Sequence, residues 1–74
     1  MTGHEFIRRI RRLGRATGTP VEFVAEHGKG SHGRLYNGER FTTVKDRKKE
    51  LRKGLVARML RDLGLTLDDL DRRT

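Results

Sequence analysis

Arg34-Leu35-Tyr36-Asn37-Gly38-Glu39-Arg40-Phe41-Thr42-Thr43-Val44 decides the fold. Arg34-Leu35-Tyr36 and Arg40-Phe41-Thr42-Thr43-Val44 are rich in aromatic and β-branched residues and read as strands. Asn37-Gly38 between them is the strongest short hairpin signal in the chain, because it suits a tight turn with positive φ. Upstream, Val21-Glu22-Phe23-Val24-Ala25-Glu26-His27 places Val21, Phe23 and Ala25 on one face and Glu22, Val24 and Glu26 on the other. That alternation predicts a further strand, from Val21 to His27. Gly28 to Gly33 joins it to the hairpin as a loop of small residues. The expectation is a three-stranded antiparallel meander.

Helical patterns flank the meander. Over Thr2 to Thr17, Phe6, Ile7, Ile10 and Leu13 share one stripe. Arg8, Arg9, Arg11, Arg12 and Arg15 fill the other faces. Thr2 and Glu5 are spaced as a capping box. Gly18 and Pro20 stop the helix. Gly14 inside it costs about 1 kcal/mol against alanine, unless it marks close packing on a sheet. Beyond the meander, Lys45 to Lys53 is a charged stretch, either a loop or the first turn of a helix. Gly54 to Leu63 reads as a second helix with Leu55, Val56, Met59, Leu60 and Leu63 in register, ended by Gly64. Thr66 caps a short terminal helix whose Asp68 and Asp69 suit its dipole.

The order is therefore α-β-β-β-α with a short C-terminal helix. Two helices on one face of the sheet give a two-layer α+β domain. This is the layout of double-stranded-RNA-binding domains, and layout alone assigns no function. A chain of 74 residues is expected to form one domain, 1–74. Phe23 and Phe41 are assigned to its core. The apolar fraction is 32% and the charged fraction 38%. A fold this small buries only roughly 60% of its unfolded surface, so a partner covering one face is plausible on size alone. There are no cysteines, hence no disulfide framework and no thiolate metal site. No apolar run approaches the ~20 residues of a membrane span, and the first residues have no signal-peptide layout. The expectation is a cytoplasmic protein with no membrane association.

The formal net charge is +8, from 18 Lys and Arg against 10 Asp and Glu. The usual partners of such a surface are nucleic acid, an acidic protein or an anionic membrane. The cluster of Lys45, Arg47, Lys48, Lys49 and Lys53 suits phosphates, as a solvated face or as a binding surface. Metal chemistry has little support: His27 and His32 lack acidic partners, and His4 lies on another element. The sequence Gly28-Lys29-Gly30-Ser31 lacks the full spacing of a nucleotide-binding P-loop. His32 has two readings. It is a surface histidine in a turn, or a general base or acid acting on RNA. Imidazole, with an unperturbed pKa of ~6.5, serves either role near neutral pH. Gly30 and Gly33 remove bulk on both sides of it, so that a phosphodiester can approach. Lys29 is placed to offset charge developing on phosphate. Ser31 lacks a visible relay that would make it a nucleophile. Tyr36 either stacks on a base or packs as a strand aromatic.

Gly28-Lys29-Gly30-Ser31-His32-Gly33, Asn37-Gly38 with Thr42-Thr43-Val44, Lys53-Gly54-Leu55-Val56 and Met59-Leu60-Arg61-Asp62-Leu63-Gly64-Leu65 together resemble HicA toxins. The resemblance runs from about Val21 to Leu70, with the amphipathic first helix added. It implies a small mRNA interferase of the type II toxin–antitoxin class, with the double-stranded-RNA-binding-like fold. It implies cleavage by the histidine of the Gly-Ser-His signature, and neutralisation by a HicB antitoxin in a hetero-oligomer. Carried over, His32 is catalytic and Gly30 and Ser31 shape its turn. Two features depart from the family pattern: Thr19-Pro20-Val21 stands where many members have a large aromatic, and the first helix is longer and richer in arginine.

The expectation is a metal- and cofactor-free endoribonuclease acting on mRNA. His32 is its catalytic residue, and Lys29, Gly30, Ser31, Arg34, Lys45, Lys48, Lys49 and Lys53 bind RNA. The alternative is a non-catalytic double-stranded-RNA-binding module. A DNA-binding helix-turn-helix over Leu55 to Leu70 fits poorly, because Asp68, Asp69 and Asp71 have the wrong sign for a major groove.

Overall fold

In the computed structural model, residues 1–73 are described apart from Lys29 and Ser31, with Arg72 and Arg73 as backbone only. The first helix, α1 (Gly3–Thr17), starts where the Thr2 hydroxyl accepts the Glu5 amide at 3.2 Å. Only this half of the capping box forms. The Glu5 carboxylate stands 3.8 Å from the Arg8 guanidinium instead. Helix α1 ends at Gly18, in a left-handed conformation whose N–H bonds the Gly14 carbonyl. Phe6, Ile7, Ile10 and Leu13 are buried, as their spacing requires. Gly14 marks a close approach: a Cβ there would strike the Val21 side chain and lie 2.7 Å from the Thr19 carbonyl oxygen.

The sheet is an antiparallel meander of β1 (Val21–Ala25), β2 (Gly33–Asn37) and β3 (Arg40–Val44), in that order. Strand β1 stops two residues short of the expected His27, because the Glu26 amide bonds the His32 carbonyl at 2.8 Å and closes the loop there. The turn is also displaced by one residue. Asn37 pairs with Arg40, so the two-residue loop is Gly38-Glu39 rather than Asn37-Gly38. Gly38 has φ 63°, and no described residue other than glycine has positive φ. Positive φ at the first loop residue alone is the requirement of a type II′ turn. Asn37, freed from the turn, donates its side-chain N–H to the Leu63 carbonyl at 2.9 Å.

Phe23, Leu35 and Thr42 lie in register on the inner face. Phe41 does not join them. It pairs with Tyr36 on the outer face, with ring centroids 5.7 Å apart, and is 43% exposed. The alternation of side chains forces this, because Thr42 and Val44 take the buried positions. Buried Thr42 is acceptable because its hydroxyl donates to Asp62 Oδ2 at 2.9 Å.

Helix α1 packs on β1 and β2, and α2 (Lys53–Asp62) packs beside β3. Leu55 was expected in the apolar stripe of α2 and is 43% exposed. It lies about 90° round the helix from the stripe centred on Val56, Met59, Leu60 and Leu63. Helix α2 closes with the Leu65 amide on the Leu60 carbonyl and the Gly64 amide on the Arg61 carbonyl, a Schellman arrangement. Thr66 and Asp69 then form a complete capping box on α3 (Leu67–Arg73), which lies against α1. The core is Phe6, Ile10, Leu35, Val44, Leu60, Leu63 and Leu70, each at most 1% exposed.

Residues 45–52 form a loop tied to the start of the chain. The Gly3 and His4 amides, at the open N-terminus of α1, bond the Lys49 and Arg47 carbonyls at 3.3 and 2.9 Å. The Leu51 amide bonds the Met1 carbonyl at 2.8 Å. A Cβ on Gly3 would lie 2.7 Å from Arg47 Cα, so the helix end and the loop are in direct contact.

Candidate functional site

His32 is half-buried at the point where the β1–β2 loop enters β2. Two forces fix its backbone. The Glu26–His32 bond closes the loop before it. Gly33 follows it, buried and paired with Ala25 and Val44. A Cβ on Gly33 would strike the Phe23 ring and approach the Val24 carbonyl oxygen to 2.6 Å. Gly33 therefore makes room for Phe23, and this corrects the expectation that it clears space for a phosphodiester. Gly28 and Gly30 have different work. Their φ values are 75° and 57°, and a Cβ on either would meet nothing. They are there for the backbone path of the loop.

His32 lines an open groove of about 810 Å³. One wall is β3, an edge strand, through Thr42, Thr43 and Val44. The second is the loop from Lys45 to Leu51, and the third is α2, through Leu55, Arg58, Met59 and Asp62. The cations of the groove are Lys45, Lys48, Lys49 and Arg58. Its carboxylates are Asp46, Glu50 and Asp62, and each is engaged. Asp46 Oδ1 accepts the Lys48 amide at 2.9 Å, Glu50 pairs with the Met1 amino group, and Asp62 takes the Thr42 hydroxyl. Helix α2 starts with no side-chain cap and no acidic residue in its first turn. Its positive end is thus not offset by a carboxylate of its own. The groove can take an anion and present it to an imidazole.

The expected site residues separate into groups. His32, Lys45, Lys48 and Lys49 come together in the groove, with Gly30 in the loop beside it. Lys29 and Ser31 lie outside the described residues. Arg34 is on the outer sheet face, its guanidinium carbon 4.7 Å from the centroid of the Phe41 ring. Lys53 is exposed at the start of α2 and does not line the groove. The sequence reading missed Arg58. The signal was present as Leu55, Arg58 and Asp62, at spacings of three and four on one helix face. Among the described residues, no three His, Cys, Asp or Glu side chains are grouped to hold a metal ion, and no helix is long and apolar enough to cross a membrane.

The sequence model of the family described as the HicA toxin of bacterial toxin–antitoxin systems matches residues 21–65, more than half of the chain. The match spans the meander, the His32 loop and all of α2. No curated protein and no solved structure gives a match to this chain.

Proposed function

Because the chain belongs to the HicA toxin family, a family of toxins from toxin–antitoxin pairs, we propose that it is an endoribonuclease using His32 on mRNA. The observation that carries the reading is His32 on the wall of a groove with Lys45, Lys48, Lys49 and Arg58. His32 takes the proton of a ribose 2′-hydroxyl. The 2′-oxygen forms a bond to the adjacent phosphorus, and the bond from phosphorus to the 5′-oxygen breaks. The products are a 2′,3′-cyclic phosphate and a 5′-hydroxyl, whose proton comes from water or a groove lysine. The chemistry needs no metal, because the imidazole supplies the base and the cations offset charge on the phosphorane. Lys29 and Ser31 keep their expected roles beside His32, as charge partner and as a residue of the turn. Lys45, Lys48 and Lys49 hold the strand through its phosphates, as Arg34 and Lys53 do from outside the groove. A HicB-type antitoxin covers the groove and blocks RNA entry.

Labelled RNA incubated with purified protein in EDTA tests the reading. Cleavage to cyclic phosphate ends is expected, and His32→Ala abolishes it along with toxicity in cells, while the melting temperature holds. Intact RNA with a retained gel shift would instead mark a binding module.

A further inference from the structure

A second groove, of about 440 Å³, lies on the other side of the loop that walls the first. His4, Arg8, Arg11 and Arg15 line it from α1, with Phe23 and Arg47 opposite. Its four arginines face no carboxylate on the groove wall, whereas the His32 groove mixes four cations with three carboxylates. The more strongly cationic groove is thus the one without His32. Its helix residues are spaced four, three and four apart, a single face rising about 16 Å along the axis. Of the four arginines of this groove, only Arg8 meets a carboxylate of a described residue, that of Glu5, and Arg11 and Arg15 make no ion pair with a described residue.

Arg47 carries a second, independent observation. Its guanidinium carbon lies over the Phe23 ring, 4.7 Å from the centroid. Its Nε is buried with no hydrogen-bond partner. A buried donor left unmet is costly, and an anionic oxygen entering this groove would satisfy it. Arg47 also joins the two grooves. Its neighbours Asp46 and Lys48 line the His32 groove while Arg47 lines the other. A strand seated at His32 can therefore continue past the loop onto α1.

We infer that the α1 groove is a phosphodiester-binding track, which holds the backbone of a single nucleic-acid strand beyond the His32 groove, with Arg47 gripping one phosphate. The inference takes its ligand class from the proposed function but does not depend on cleavage. The probe is a fluorescent single-stranded DNA of about 20 nucleotides, longer than one small binding site. It has no 2′-hydroxyl and is inert to the proposed chemistry. Its affinity is measured by anisotropy across a salt series. Arg11→Gln/Arg15→Gln binds it roughly tenfold more weakly at low salt, and the slope of log affinity against log salt falls by about 1.4, or 0.7 per lost contact. The charge-matched control Arg52→Gln/Arg61→Gln, at exposed positions lining neither groove, changes affinity less than about threefold if position matters more than net charge. Melting curves verify that both variants fold. Equal losses in the two variants, or no loss in the first, would overturn the track. Failure of RNA cleavage with this dependence intact would remove the proposed chemistry and leave the track standing.

Discussion

Gly33→Ala tests how the turn at His32 is built. Gly33 has no positive φ, so the backbone alone would favour alanine by about 0.4–1 kcal/mol. The steric contact opposes that. The added methyl would strike the Phe23 ring and lie 2.6 Å from the Val24 carbonyl oxygen. The ring can tilt, but the carbonyl belongs to a strand paired residue by residue with β2. Overpacking of this kind costs typically 1–3 kcal/mol, and a backbone obstacle puts it at the upper end. The net loss is about 2–2.5 kcal/mol, a large share of the roughly 4–11 kcal/mol expected for a domain of this size. At 4–8 °C per kcal/mol, the melting temperature falls by roughly 10–20 °C. Urea unfolding of the single variants and of Gly33→Ala/Phe23→Leu gives the coupling. Removing the aromatic edge recovers about 1 kcal/mol and no more, because the Val24 carbonyl remains. A Gly33→Ala protein within about 0.5 kcal/mol of the parent, or one whose loss is indifferent to Phe23→Leu, would refute the account.

Three further substitutions probe separate joints. Thr66→Ala removes the hydroxyl that accepts the Asp69 amide, while the backbone amide at position 66 keeps its bond to the Asp69 carboxylate; unfolding should be easier by ~1 kcal/mol, and an unchanged urea midpoint would show that α3 gains nothing from its hydroxyl cap. Thr42→Val keeps the shape of a buried side chain but deletes its bond to Asp62. A loss of ~1 kcal/mol is expected in chemical denaturation, and a gain would mean that β3 and α2 are not joined through this pair. Gly54→Ala adds a methyl that meets nothing within 4 Å, so stability should hold or rise by up to ~1 kcal/mol. A measured loss of stability would contradict the open space drawn there, whereas slower RNA cleavage at full stability would place the strand against the start of α2.

Local patterns carried the architecture. The α1 stripe, the third strand from Arg40 to Val44 and the glycine stop after α2 depend on spacing within a few residues, and the structure keeps each of them. The misplacements involve partners distant in sequence. Alternation required Phe41 and Thr42 to face opposite ways, but apolarity alone favoured Phe41 as the buried one. The deciding partner was Asp62, 20 residues away. Asn37 was drawn out of the turn in the same manner, by the Leu63 carbonyl 26 residues on. Leu55 is the exception: its place about 90° from the centre of the α2 stripe was readable from the spacing, and the docking of α2 beside β3 leaves it over the groove. The basic cluster from Lys45 to Lys49 was readable as charge. Its division between two grooves was not, because that follows from how the loop meets α1.

That junction gives the first helix a part in the site, although the family match begins at residue 21. Lys45, Lys48 and Lys49 sit on a loop with no strand or helix of its own from 45 to 49. Such a segment would hold no fixed groove wall by local preference. Its main chain is instead held by the amides of Gly3 and His4, which would otherwise be unmet at the open end of α1. Phe6 and Ile10 anchor that helix in the core at full burial. The loop thus satisfies the helix terminus, and the helix sets where the loop stands relative to β3 and His32. A segment limited to residues 21–65 would retain His32, its turn and every residue lining the first groove, yet lose the clamp that gives the groove its width. The arginines of α1 travel with that clamp, so the element that shapes the His32 groove also carries the second cationic surface beside it.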